Sequence, residues 1–143
     1  MEATEINPIN QLKPALVCGS RQGQGFLRTS TALDKARKTP ELPVFYAVLS
    51  GGNKGTDGEA FYWAMLRELP ALIVPAKWKT GTAGGGEGPI RNRLMLRLCW
   101  PVVVLAFPGG PGTRDMMRVA LQSEIPLWCW NKDDETWKLC RTI

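Results

Sequence analysis

The groups able to do chemistry in this chain are basic side chains, carboxylates and backbone amides. Histidine is absent from all 143 residues, which removes Ser-His and Cys-His nucleophile pairs and every histidine-containing metal site. The cations of interest are Lys54, Arg91, Arg93 and Arg114, with Arg21 directly after the first apolar run. The carboxylates nearest to them are Asp57, Glu59, Glu87 and Asp115. Three glycine-rich turns accompany these charges, Val17 to Gly25, Ser50 to Gly58 and Phe107 to Thr113, each between an apolar run and a helix-like run. Glycine lets the backbone turn sharply and approach a ligand closely. At the helix that follows, the first N–H donors lack intrahelical partners, and the macrodipole adds roughly half a positive charge. Phosphate is the natural occupant. Any one such loop also reads as a plain tight connection; three in one chain favour a phosphate-bearing ligand.

The elements that must position these turns alternate between strand-like and helix-like runs, the signature of an α/β fold with a mostly parallel central sheet. Strands are expected at Ala15 to Gly19, Pro43 to Leu49, Leu72 to Pro75, Pro101 to Phe107 and Pro126 to Trp130, with an edge at Thr136 to Arg141. Pro101 to Phe107 has no polar alternation and reads as a central strand buried on both faces. Helices are expected from Phe26 to Lys38, from about Asp57 to Glu68, from Pro89 through Leu98, and up to Ser123. Thr56 with Glu59 fits a capping box, Phe61, Met65 and Leu69 supply that helix's inward stripe, and Thr113 is a candidate cap for the last helix. Lys77 to Gly88 reads as a glycine-rich lid or crossing loop. Right-handed crossovers bring the loops after parallel strands to one side of the sheet, so the three turns should converge.

Length suits a single domain over 14–143 preceded by an extension over 1–13. The longest apolar stretch, Cys99 to Phe107, falls far short of the about 20 residues of a membrane span. Met1 to Pro14 lacks the basic and apolar regions of a signal peptide, so a cytoplasmic location is expected. Cys18, Cys99, Cys129 and Cys140 sit among apolar neighbours without zinc-knuckle spacing and read as reduced core thiols. No metal and no cofactor is expected. The net charge of +5 is scattered along the sequence, which a phosphate ligand explains as well as nucleic acid would.

Four segments carry a family resemblance. Val17-Cys18-Gly19-Ser20-Arg21, Gly51-Gly52-Asn53-Lys54-Gly55-Thr56-Asp57, Gly88-Pro89-Ile90-Arg91-Asn92-Arg93-Leu94-Met95 and Phe107-Pro108-Gly109-Gly110-Pro111-Gly112-Thr113 resemble the YspA-like, YpsA-related branch of the SLOG superfamily. Pro75-Ala76-Lys77-Trp78 is similar to a further element of that branch. The superfamily unites the SMF/DprA proteins with the LOG phosphoribohydrolases. The resemblance implies a Rossmann-like three-layer sandwich that binds nucleotides or molecules derived from them.

Mapped on this chain, the resemblance gives as ligand-binding candidates Gly19, Ser20, Arg21, Gly51, Gly52, Lys54, Gly55, Asp57, Arg91, Asn92 and Arg93, with Pro108, Gly109, Gly110, Gly112 and Thr113 from the last turn. Trp78, between Lys77 and Lys79, is a candidate platform for a base. In LOG enzymes an arginine before the central strand and a glutamate after the last glycine turn carry N-glycosidic cleavage. Arg91 or Arg93 fits the first role, but the second position holds Met116. Asp115, one residue earlier, would be rotated by about 100° on a helix.

The leading expectation is therefore non-catalytic binding, in sensing or sequestration, of a nucleotide-derived signalling molecule. A phage or mobile-element protein acting against a host defence pathway is one setting for such a binder. The first alternative is a nucleoside monophosphate phosphoribohydrolase using Arg91 or Arg93 with Asp57, Glu59 or Asp115. Binding of single-stranded nucleic acid is the second alternative, and the scattered charge argues against it. The LOG resemblance also implies a homo-oligomer, dimer or higher. Asp57 has two readings, a first-turn partner of the helix dipole and a hydrogen-bond acceptor for a ribose hydroxyl.

Overall fold

A computed structural model describes residues 11–76 and 87–143. Six strands, β1 (Pro14–Cys18), β2 (Ala47–Ser50), β3 (Ala71–Ile73), β4 (Val103–Ala106), β5 (Leu127–Asn131) and β6 (Thr136–Cys140), form one sheet in the order β3-β2-β1-β4-β5-β6. The first five run parallel, and β6 pairs antiparallel with β5. Among the described residues, four helices fill the crossovers: α1 (Phe26–Lys38), α2 (Thr56–Leu66), α3 (Glu87–Cys99) and α4 (Pro111–Gln122). The chain is a Rossmann-like, mostly parallel α/β sandwich, as expected.

Both faces of the sheet are covered, and side-chain alternation explains how. Ala15, Val17, Val103 and Leu105 face one core with Leu33, Trp63 and Trp137. Leu16, Val104 and Ala106 face the other with Met95, Met116 and Val119. A strand buried on both faces needs apolar residues at every position, and Val103–Ala106 is at most 2% exposed throughout. The order of strands reverses direction between β1 and β4, the switch point where open α/β sheets take their ligands.

Several local expectations shift. The second strand is shorter than Pro43 to Leu49, because Pro43 has no N–H to contribute to a ladder and Tyr46 donates instead to Leu12 and Lys13 carbonyls. Helix α2 buries Ala60, Trp63 and Ala64, while Met65 of the expected stripe is exposed. The capping box does not form: Gly55 occupies the cap position without a side-chain bond. Likewise α4 starts at Pro111 with Gly110 as cap, so Thr113 lies inside the first turn and is buried. Helix α3 begins ahead of Pro89, which costs no intrahelical bond because a first-turn N–H has no partner. Of the four free thiols, only Cys99 is fully buried, the others being half-buried. The expected lid, including Trp78, falls largely outside the described residues.

Candidate functional site

The three glycine turns meet at the carboxyl ends of β1, β2 and β4. Phe107 N–H donates to the Cys18 carbonyl at 2.9 Å, Ser20 N–H to Pro108 at 3.2 Å, and Thr56 N–H to Ser20 at 3.1 Å. Glycine is required where they touch. A Cβ on Gly19 would collide with the Thr56 side chain, one on Gly51 with the Arg91 guanidinium, and one on Gly109 with Thr113. These glycines serve contact between loops as much as approach to a ligand.

A cavity of about 390 Å³ opens between the turns, within the range of small-molecule sites. It is lined by Gly19, Ser20 and Arg21 from the first turn, Gly51 and Asp57 from the second, and Arg91 and Asn92 from α3. Gly110, Gly112 and Thr113 complete the wall from the last turn. Gly52 lies outside the lining, against Ile73, and Pro108 and Gly109 lie outside it too, as contacts between loops. Lys54 and Gly55 line a neighbouring groove instead. Arg93 does not line the cavity. Its guanidinium donates to the Pro89 carbonyl at 3.0 Å and lies 3.5 Å from Asp115.

The arginine that does enter is Arg91. Its Nε donates to Asn92 Oδ1 at 3.1 Å and one terminal nitrogen donates to the Gly51 carbonyl at 3.2 Å. Burial pulls its pKa down, against the opposing attraction of Asp57. Asn92 is fixed in turn, donating to Asp115 at 3.0 Å and to the Gly112 carbonyl at 3.3 Å. Asp115 is thereby held as a support for Asn92 and lies outside the cavity lining.

The carboxylates near the turns decide which backbone donors remain. Glu59 accepts from Gln24 N–H at 3.0 Å, Gly25 N–H at 2.9 Å and Thr29 Oγ1 at 2.7 Å. The start of α1 thus already holds an anion, supplied by the protein. Asp57 accepts from Asn53 N–H at 3.0 Å. Burial raises its pKa, opposed by the Asn53 bond and then by Arg91. At α4 the first-turn N–H groups of Gly112 and Thr113 have no intrahelical acceptor, and among the described residues no carboxylate accepts from them. Both residues line the cavity.

Sequence reasoning missed several lining residues. Gln22, Asn53 and Met116 all contribute; the first two stand within turns already singled out, so their neighbours were the available signal. Cys18 also lines the cavity, but burial followed by the nearby Asp57 charge drives its thiol far from ionisation. Cys129 is pushed up to about 12 by burial and by Cys140. Neither suits a nucleophile, which must be a thiolate. Among the described residues no acidic or thiol cluster could hold a metal ion, and no helix is long and apolar enough to cross a membrane.

No protein-family model and no curated protein matches this chain. Solved structures do. DNA processing protein A from Helicobacter pylori, described through its single-stranded DNA binding mode, superposes with a TM-score of 0.63 at 16% identity, covering 92% of this chain and 72% of that one. What the two share is a fold. A UDP-N-acetylglucosamine 2-epimerase superposes with a TM-score of 0.54 at 15% identity, covering 86% of this chain and 36% of its own. The first match shares the Rossmann-like fold that the resemblance implies. It also overturns the expectation that set nucleic acid aside as a partner: a protein with this fold binds single-stranded DNA.

Proposed function

We propose that this cavity binds the phosphate of a nucleotide and leaves the nucleotide intact. The observation that carries the reading is the start of α4, where Gly112 and Thr113 offer amides that no described carboxylate occupies, opposite the buried Arg91. A helix start of this kind attracts phosphate. Charge-assisted hydrogen bonds contribute about 1.5–3 kcal/mol each, so two or three sustain micromolar affinity after ordering costs. The motif resemblance to the YspA-like branch of the SLOG superfamily points the same way. A protein that binds without turnover senses or sequesters its ligand, and a signalling nucleotide is the free form that suits either role.

Turnover is disfavoured by the carboxylates. Glycosidic cleavage uses carboxylates set to act as acid, base or nucleophile. Asp57 is the one carboxylate among the described lining residues, and it already accepts a backbone bond from Asn53 N–H. Met116, where the LOG resemblance would have glutamate, is buried and apolar.

The same phosphate chemistry is available from a single strand, and the likeness to a single-stranded DNA-binding protein favours that source. Calorimetry with nucleoside mono- and diphosphates, a cyclic nucleotide and ADP-ribose forms one arm, and a short oligodeoxynucleotide the other. Binding in either arm, lost in Arg91→Ala with the fold retained by circular dichroism, is the expected result. Release of free base from a nucleoside monophosphate would replace this reading with the hydrolase.

A further inference from the structure

Beside the phosphate cavity lies a second, more open hollow of about 700 Å³ between the start of α1 and the length of α2 from Gly58 to Leu66. Phe26, Tyr62, Met65 and Leu66 give it an apolar wall, with Lys54 and Gln22 at its polar side. Tyr62, Met65 and Leu66 are each more than half exposed, which is unusual for three large side chains in one patch. Tyr62 is also braced: its ring meets Phe61 edge-on at 5.7 Å and 77°.

We infer that this groove receives the base of a second nucleotide, next to the one whose phosphate lies in the cavity, so that the ligand is a single strand. The inference rests on the phosphate reading above. Three observations support it. Gln22 lines both hollows, which therefore adjoin. The loop after β2 walls both, with Asn53 turned to the cavity and Lys54 and Gly55 to the groove, which sets a cation beside the path between them. Glu59, the groove's acidic residue, has its oxygens engaged by Gln24, Gly25 and Thr29 and leaves the apolar wall open to an aromatic face. Aromatic side chains along a basic path are how single strands are held without regard to sequence.

The test compares an oligodeoxythymidylate of about six nucleotides with an abasic strand of equal length, by fluorescence anisotropy on the full chain. The wild type should prefer the base-bearing strand. Tyr62→Ala should weaken binding of that strand by about five- to a hundredfold, one stacked base's contribution, and erase its advantage over the abasic strand. Phe26→Ala should act in the same direction. If Tyr62→Ala and Phe26→Ala bind the base-bearing strand like the wild type while Arg91→Ala does not, the groove assignment falls and the phosphate cavity stands. If the wild type binds neither strand but binds a mononucleotide, the groove assignment again falls alone. If it binds no strand and no nucleotide, both readings fall together. If light scattering shows a dimer that Tyr62→Ala dissociates, with no change in base preference, a second copy of the chain covers the groove and the inference is overturned.

Discussion

Arg91 and Asp57 both line the cavity, with opposite biases. Burial weakens the hold of the guanidinium on its proton and raises the carboxyl pKa, while their mutual attraction opposes both shifts. An ionised Asp57 repels an incoming phosphate, and its raised pKa brings neutralisation to a higher pH than for an ordinary carboxylate. Affinity for a phosphodiester should therefore increase as pH falls through the Asp57 pKa. A diester is the right probe because a phosphomonoester titrates near pH 6 itself, to about one unit. Asp57→Asn should bind more tightly at neutral pH and show a flat profile in a calorimetric titration series. A wild-type profile without that rise would mean that Asp57 does not face the phosphate.

At the scale of elements, a buried aromatic and an ion pair join the Thr29–Glu59 bond in tying α1 to α2. Trp63 is fully buried, and its indole N–H donates to Asp34 at 3.0 Å. Asp34 also accepts from Arg67 Nε at 3.0 Å and from a terminal nitrogen at 2.7 Å. Trp63→Ala should cost about 3–5 kcal/mol in urea unfolding, the range for deleting a large buried aromatic. The Arg67 bond holds the Asp34 carboxyl below its usual value. A depressed carboxyl contributes stability above its unfolded pKa near 3.8 and loses it as pH falls through the lower folded value. The stability difference between wild type and Asp34→Asn should accordingly be present at neutral pH and vanish in acid. A difference that persists in acid would assign it to packing.

At the scale of the whole molecule, the net charge of +5 bears on how any strand is held. The basic residues lining the cavity and groove are Arg21, Lys54 and Arg91. Each phosphate neutralised on a single strand contributes about 0.7 to the slope of log affinity against log salt. A slope near about −2 is expected if those three residues make the contacts. A slope steeper than about −4 would show that the strand runs over the scattered surface charge instead.

How much of this was legible in the chain follows from the range of each interaction. Alternating apolar runs and glycine turns announced the α/β order, and the unbroken apolar run Pro101 to Phe107 declared a strand buried on both faces, because strand and helix periods are local properties. The absence of histidine limited the chemistry without any coordinates. What folding alone decided was the fate of each donor and charge. Glu59 read as half of a capping box with Thr56, yet it reaches back 30 or more residues to bind the first turn. Arg91 and Arg93 looked equivalent, but two helical steps of about 100° each separate their directions, and one enters the cavity while the other meets Asp115. Met65 read as core and is exposed, since α2 turns Ala60, Trp63 and Ala64 inward. Periodicity is written in neighbours along the chain, whereas hydrogen-bond partners and open walls depend on segments brought together across the sheet, and only the tertiary structure could choose them.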